Sequence, residues 1–186
     1  MMPNSPLLNE LIPTDRFCAL GPGKPQESMR SKLASLTNLF AGQQIVDRDA
    51  ARCCLSALWL LHDFLDESHT ISQEIETVDG SYWHGIMHRR EPDYFNSKYW
   101  FRRVGEHAIF PRLLEQARAL IAAEKASDAI AVEIAAAKKW DSDRFVDWCE
   151  QLARGQAKQE SLAMKIAQAE WRLLFAYCYD RAVSGS

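Results

Sequence analysis

The chain has 186 residues, 47% of them hydrophobic and 25% charged, with a formal net charge of −3. Those figures fit one globular domain with a real core and exclude a disordered chain. The lack of a basic excess argues against a nucleic-acid backbone as the partner.

In chain order, residues 1–25 hold Pro3, Pro6, Pro13, Gly21, Pro22, Gly23 and Pro25. Such a density of breakers reads as an irregular arm, with residues 26–186 as a single helical domain. Pro25 suits the start of a first helix, with Met29, Leu33, Leu36 and Phe40 on one stripe and Gly42 just past its end. Asp47 suits the cap of a second helix reaching about His69. Ala51, Leu55, Leu58, His62, Leu65 and His69 recur there at alternating spacings of four and three, which predicts one continuous helical stripe. Asp79-Gly80 reads as a turn. Ser81 suits the cap of a short helix through Arg90, weakened by Gly85 and stopped by Pro92. Asp93 or Asn96 suits the cap of another, ending before Gly105.

Pro111 fits the first turn of a helix carrying Leu113, Leu114, Ala117, Leu120 and Ile121. Residues 126–139 form an alanine-rich helical stretch. Asp141 or Ser142 begins a helix bearing Phe145, Trp148, Cys149 and Leu152, and Gly155 breaks it. A last helix runs from about Gln159 to Ala182. No alternating strand pattern occurs. The expected fold is all-α: a single-domain helical bundle or irregular helical array with short helices across one end.

Five cysteines, an odd number without Cys-x-x-Cys spacing, argue against a secreted disulfide framework and for a reducing, cytoplasmic location. Adjacent Cys53 and Cys54 read as small buried hydrophobes. The N-terminus lacks a basic segment followed by an apolar one. The apolar run from Cys53 to Leu61 is too short to span a bilayer, so no membrane association is expected.

All five histidines, His62, His69, His84, His88 and His107, fall in one short stretch. His84 and His88 lie four apart, on one face of a helix, the spacing that lets two imidazoles grip one divalent transition metal. Gly85 stands where the zinc-protease pattern has glutamate, so the pair is half a motif. A third ligand would come from His69, Glu67, Glu91 or His107. His62 reads as a satisfied core histidine. His69 follows Asp66 and Glu67, and a neighbouring carboxylate suits acid–base work.

Charge is segregated. Residues 46–80 carry eight acids against two bases, and residues 81–112 carry six bases against three acids. The plain reading is ion pairing between the two segments. The functional reading is an anion clamp of arginines beside stacking aromatics. Its candidates are Arg89, Asn96, Lys98, Tyr99, Trp100, Arg102 and Arg103. Glu170, among apolar neighbours of the last helix, calls for a partner from the basic segment.

The runs HDFLDESH and GSYWHGIMHRREPDYFNSKYWFRRVGEH, from Gly80 to His107, resemble a family of uncharacterised bacterial and fungal proteins. The resemblance implies a shared fold and a shared special segment, and it supplies no reaction.

Three functions are compatible with these residues. The first is an enzyme acting on a small anionic substrate. His69 and His88 would move protons, Glu67 or Glu91 would orient them, and a metal on His84 and His88 is optional. The second is a non-catalytic module binding the same kind of ligand. The third is a helical interaction protein, in which the second helix and the alanine-rich helix form an oligomer interface.

Overall fold

Four helices begin on a side chain that satisfies a free N–H of their first turn. Asp47 accepts from the Ala50 N–H (2.9 Å), Thr77 from Gly80 (3.1 Å), Asp93 from Asn96 (3.1 Å) and Asp141 from Arg144 (3.0 Å). The computed structural model describes residues 6–36 and 39–184. Within them the chain forms α1 (Pro6–Leu11), α2 (Glu27–Ala34), α3 (Arg48–Leu61), α4 (Leu65–Ser72) and α5 (Val78–Arg90). It continues through α6 (Tyr94–Val104), α7 (Phe110–Ala123), α8 (Ala129–Ala136), α9 (Ser142–Ala153) and α10 (Glu160–Ser184). The described residues contain no strand, so the fold is the all-α array expected. None of these helices is long and apolar enough to cross a membrane.

α10 is buried along most of its length and packs on α3, α7 and α9. α5 is held between α3, α4 and α6. Twelve of its thirteen residues are buried, although Asp79, His84, His88, Arg89 and Arg90 are among them. A helix so polar stays buried only if its charged and hydrogen-bonding groups are paired. That requirement shapes the rest of the molecule.

The structure corrects several sequence-based expectations. The N-terminal arm is not irregular throughout: it contains α1, and Leu8, Leu11, Ile12, Cys18 and Leu20 join the main core. The helix expected to start at Pro25 is α2, which ends at Ala34, short of the stripe that reached Phe40.

The second helix does not reach His69. It stops at Leu61, and the chain reverses through Asp63, whose φ of 64° lies in the left-handed region. Partners from distant segments hold that conformation. Arg16 and Arg90 donate to the Asp63 carboxylate, and Arg90 also donates to the Gly21 and Leu60 carbonyls. Local periodicity could not register a break imposed by residues far away in the chain.

Asp79-Gly80 is not a turn but the first turn of α5. A Cβ on residue 80 would lie 2.2 Å from the Ile75 carbonyl oxygen, so close approach of the preceding loop is what selects glycine. At residue 85 a Cβ would press on the Phe101 ring at 3.3 Å. Ser97 donates to the Gly85 carbonyl (2.8 Å), which fixes α6 tightly against α5. The alanine-rich stretch is helical only over Ala129–Ala136. All five cysteines are buried and free.

Candidate metal centre

The break at Asp63 turns α4 so that His69 faces α5. The ring of His69 lies 4.8 Å from that of His84 and 5.4 Å from that of His88, centroid to centroid. One ring nitrogen from each of the three lies within 4.8 Å of the others. His84 and His88 are buried and His69 half-buried. The i, i+4 spacing on α5 brings His84 Nε2 to 2.9 Å from His88 Nε2. Two ligands about 2.0–2.1 Å from one metal ion are separated by roughly 2.9–3.4 Å in octahedral to tetrahedral geometry. The two imidazoles therefore already stand at the spacing of neighbouring ligands.

Proton counting makes the pair unusual. His88 Nδ1 faces the Glu91 carboxylate at 3.0 Å, so this nitrogen carries the proton and Nε2 of the neutral ring presents a lone pair. Nε2 of His84 faces that lone pair, while its buried Nδ1 makes no well-formed hydrogen bond among the described residues, the Ser72 backbone being the one acceptor that acts on this ring. A proton on His84 Nε2 satisfies His88 and leaves the Nδ1 lone pair stranded. A proton on Nδ1 puts two lone pairs face to face. Neither tautomer satisfies both rings through protein groups alone.

Burial holds the His84 ring down to about 4, helped by the neighbouring His88 and His69. The Ser72 backbone opposes that shift. Burial also lowers His88, against the pull of Glu91. Both rings are thus neutral near pH 7, the form that binds metals.

α6 supplies the surroundings. The Trp100 ring stacks on His84 with centroids 4.1 Å apart, and the Arg103 guanidinium sits 4.9 Å over the Trp100 ring. The Asn96 amide nitrogen lies 3.0 Å from His88 Nε2. The amide's oxygen and nitrogen are interchangeable by rotation, so Asn96 can present either to this point.

The other sequence-selected residues scatter. Glu67 pairs with Arg30 and does not orient His69. Arg89 is no ligand clamp. It is buried and donates to Glu170 (2.5 Å), which also accepts from the Tyr82 hydroxyl (3.1 Å). Glu170 thereby finds the arginine expected of it. Lys98 pairs with Asp147, and Arg102 lies 3.8 Å from Asp143. Tyr99 is exposed, with its hydroxyl 3.5 Å from Arg103.

The cluster of basic residues expected to grip an anion is therefore dispersed, because the acids they pair with lie on α9 and α10. His62 is a buried core residue bonded to the Leu11 carbonyl and the Gln26 side chain. His107 is also elsewhere, bonded to Asp79 (2.9 Å).

Sequence reading gave Arg90 and Asp79 no role. No local signal marks either one, since their partners are Asp63, in the reversal between α3 and α4, and Arg181, on α10. Comparison with protein-family models, curated proteins and solved structures yields no match to this chain.

Proposed function

We propose that His69, His84 and His88 form a mononuclear site for a divalent transition metal, with coordination positions left open for a small anionic ligand or for water. The observation that carries this reading is the unsatisfied pair of facing Nε2 atoms, with the third imidazole converging on them. A cation between the rings relieves the two facing lone pairs: His84 takes its proton on Nδ1, and both Nε2 atoms bind the ion. Glu91 then acts as the carboxylate behind a metal-bound imidazole, fixing the tautomer of His88 and raising its basicity.

Three protein imidazoles, with no fourth acidic or thiol ligand among the described residues, make the donor set of a reactive site rather than a structural one. Such a metal lowers the pKa of bound water and polarises a bound oxygen. Asn96 stands where it can donate to that oxygen or supply its own as a ligand. Arg103 makes no ion pair among the described residues and lies on the Trp100 ring that covers His84. It is the one cation of the expected clamp available to an anion there. On this reading His69 and His88 are ligands rather than proton carriers.

The test is elemental analysis of tag-free, chelator-free protein beside a His84→Ala/His88→Ala double variant. About one metal per chain in the parent, absent from a folded variant, supports the site. Failure of the parent to take up added zinc, cobalt or manganese overturns it.

A further inference from the structure

A groove of about 330 Å³ runs between α7 and α10, and none of its lining residues belongs to the histidine cluster. That volume lies in the range of small-molecule sites. Arg112 and Gln116, one turn apart, form one bank. Arg172, Ala176 and Asp180, successive turns of α10, form the other, with Ile109 on the floor. Small Ala176 leaves the space that the long side chains border.

The charges make this groove distinctive. Most arginines of the molecule are neutralised by acids, but Arg112 and Arg172 form no ion pair or hydrogen bond among the described residues. Both arginines line this one cleft without an ion pair of their own, so an oxyanion lying in it can take hydrogen bonds from both.

The wall beside them is rigid. Tyr177 packs edge-on against His107, with centroids 4.9 Å apart, and His107 is tied to Asp79, which Arg181 also binds. A site whose wall is held by such a network of paired polar groups binds with little ordering cost. Asp180 is the opposing charge on the lining, and it also lacks an ion pair among the described residues. It weakens the attraction for a bare anion.

We propose that this groove is a second ligand site, taking a small molecule through a phosphate or carboxylate held between Arg112 and Arg172. Planar guanidiniums form paired hydrogen bonds with such oxyanions, which a lysine cannot reproduce.

Calorimetric titration of the full chain, stripped of metal by chelator, with inorganic phosphate tests this, beside Arg112→Gln, Arg172→Gln, Arg112→Lys, Asp180→Asn and His84→Ala/His88→Ala. One saturable site per chain is expected. Either glutamine variant should weaken it roughly tenfold or more, a loss typical of a charged hydrogen-bonding partner. Arg112→Lys should weaken it too, Asp180→Asn should tighten it, and the histidine variant should leave it unchanged.

The substituted arginine and aspartate side chains lose no ion pair or hydrogen bond among the described residues, so those variants should melt like the parent. If one does not, arginine side-chain N–H shifts in the parent, followed during phosphate titration, decide the matter. Shifts confined to Arg112 and Arg172 support the site. No saturable binding, binding that survives both glutamine substitutions, or binding abolished by the histidine variant overturns it. The last outcome would place the anion at the histidine cluster, and it leaves the metal reading standing.

Discussion

The two ends of α5 carry two histidine networks built on opposite terms. At its first turn, Asp79 accepts from His107 Nε2 and from Arg181 Nη1, both at 2.9 Å. Arg181 continues to Asp47 (2.8 Å), and the Ile109 N–H donates to His107 Nδ1 (3.3 Å). Every polar atom in that chain of contacts meets its opposite. At the far end three imidazoles face one another, with a single half-exposed carboxylate at the edge. Both networks place buried imidazoles beside a carboxylate. What separates them is completeness: the first is finished by protein groups and the second is not.

The strongest way to break this comparison is to remove Asp79. Asp79→Ala leaves His107 and Arg181 without their shared acceptor, and breaking a buried ion pair costs roughly 3–5 kcal/mol. Urea denaturation should show a loss of that size, and the His84→Ala/His88→Ala double variant should lose clearly less. Equal losses would mean that the histidine cluster is structural too.

Next in size is the effect of metal on stability. An ion that binds only the folded chain adds about 2.7 kcal/mol at a hundredfold excess over its Kd. Thermal melts with and without zinc should show this in the parent and not in the double variant. Glu91→Gln tests the carboxylate behind His88. It should weaken metal binding about 10- to 100-fold by competition titration, while leaving the stability of the metal-free chain nearly unchanged.

The smallest effect is on pH dependence. The folded values of His84, His88 and His62 lie below the ordinary imidazole value of 6.5, chiefly through burial. The unfolded chain therefore binds more protons than the folded chain as pH falls below 6.5. Stability of the metal-free protein is fully present above that value. It should decline as pH drops toward the value of about 4 held by His84. Restoring an ordinary pH profile by His84→Ala would confirm the source, and an unchanged profile would assign the acid sensitivity to other groups.

The part of the molecule legible beforehand was the part governed by local rules. Asp47, Asp93 and Asp141 cap helices as their chemistry dictates, and Pro111 enters a first turn. The i, i+4 relation of His84 and His88 follows from helical geometry alone, and the need of Glu170 for an arginine follows from its apolar neighbours.

The helix break at Asp63 was not legible, because two arginines distant in sequence hold it. Nor was the dispersal of the basic residues, since Arg89 and Lys98 are neutralised from α10 and α9. Charge segregation in sequence suggested a clamp. In space the charges divide among different neighbours.

Local sequence settles that this chain is helical, where most helices begin, and that two imidazoles share a face of one of them. Capping and period are properties of residues within a turn or two of each other. Only the tertiary structure decided that His69 joins that pair while His62 and His107 do not, and that Arg112 and Arg172 face one groove. Those outcomes depend on the reversal at Asp63 and on the packing of α7 against α10. Both are set by contacts between residues far apart in the chain, whose pairing no local pattern records.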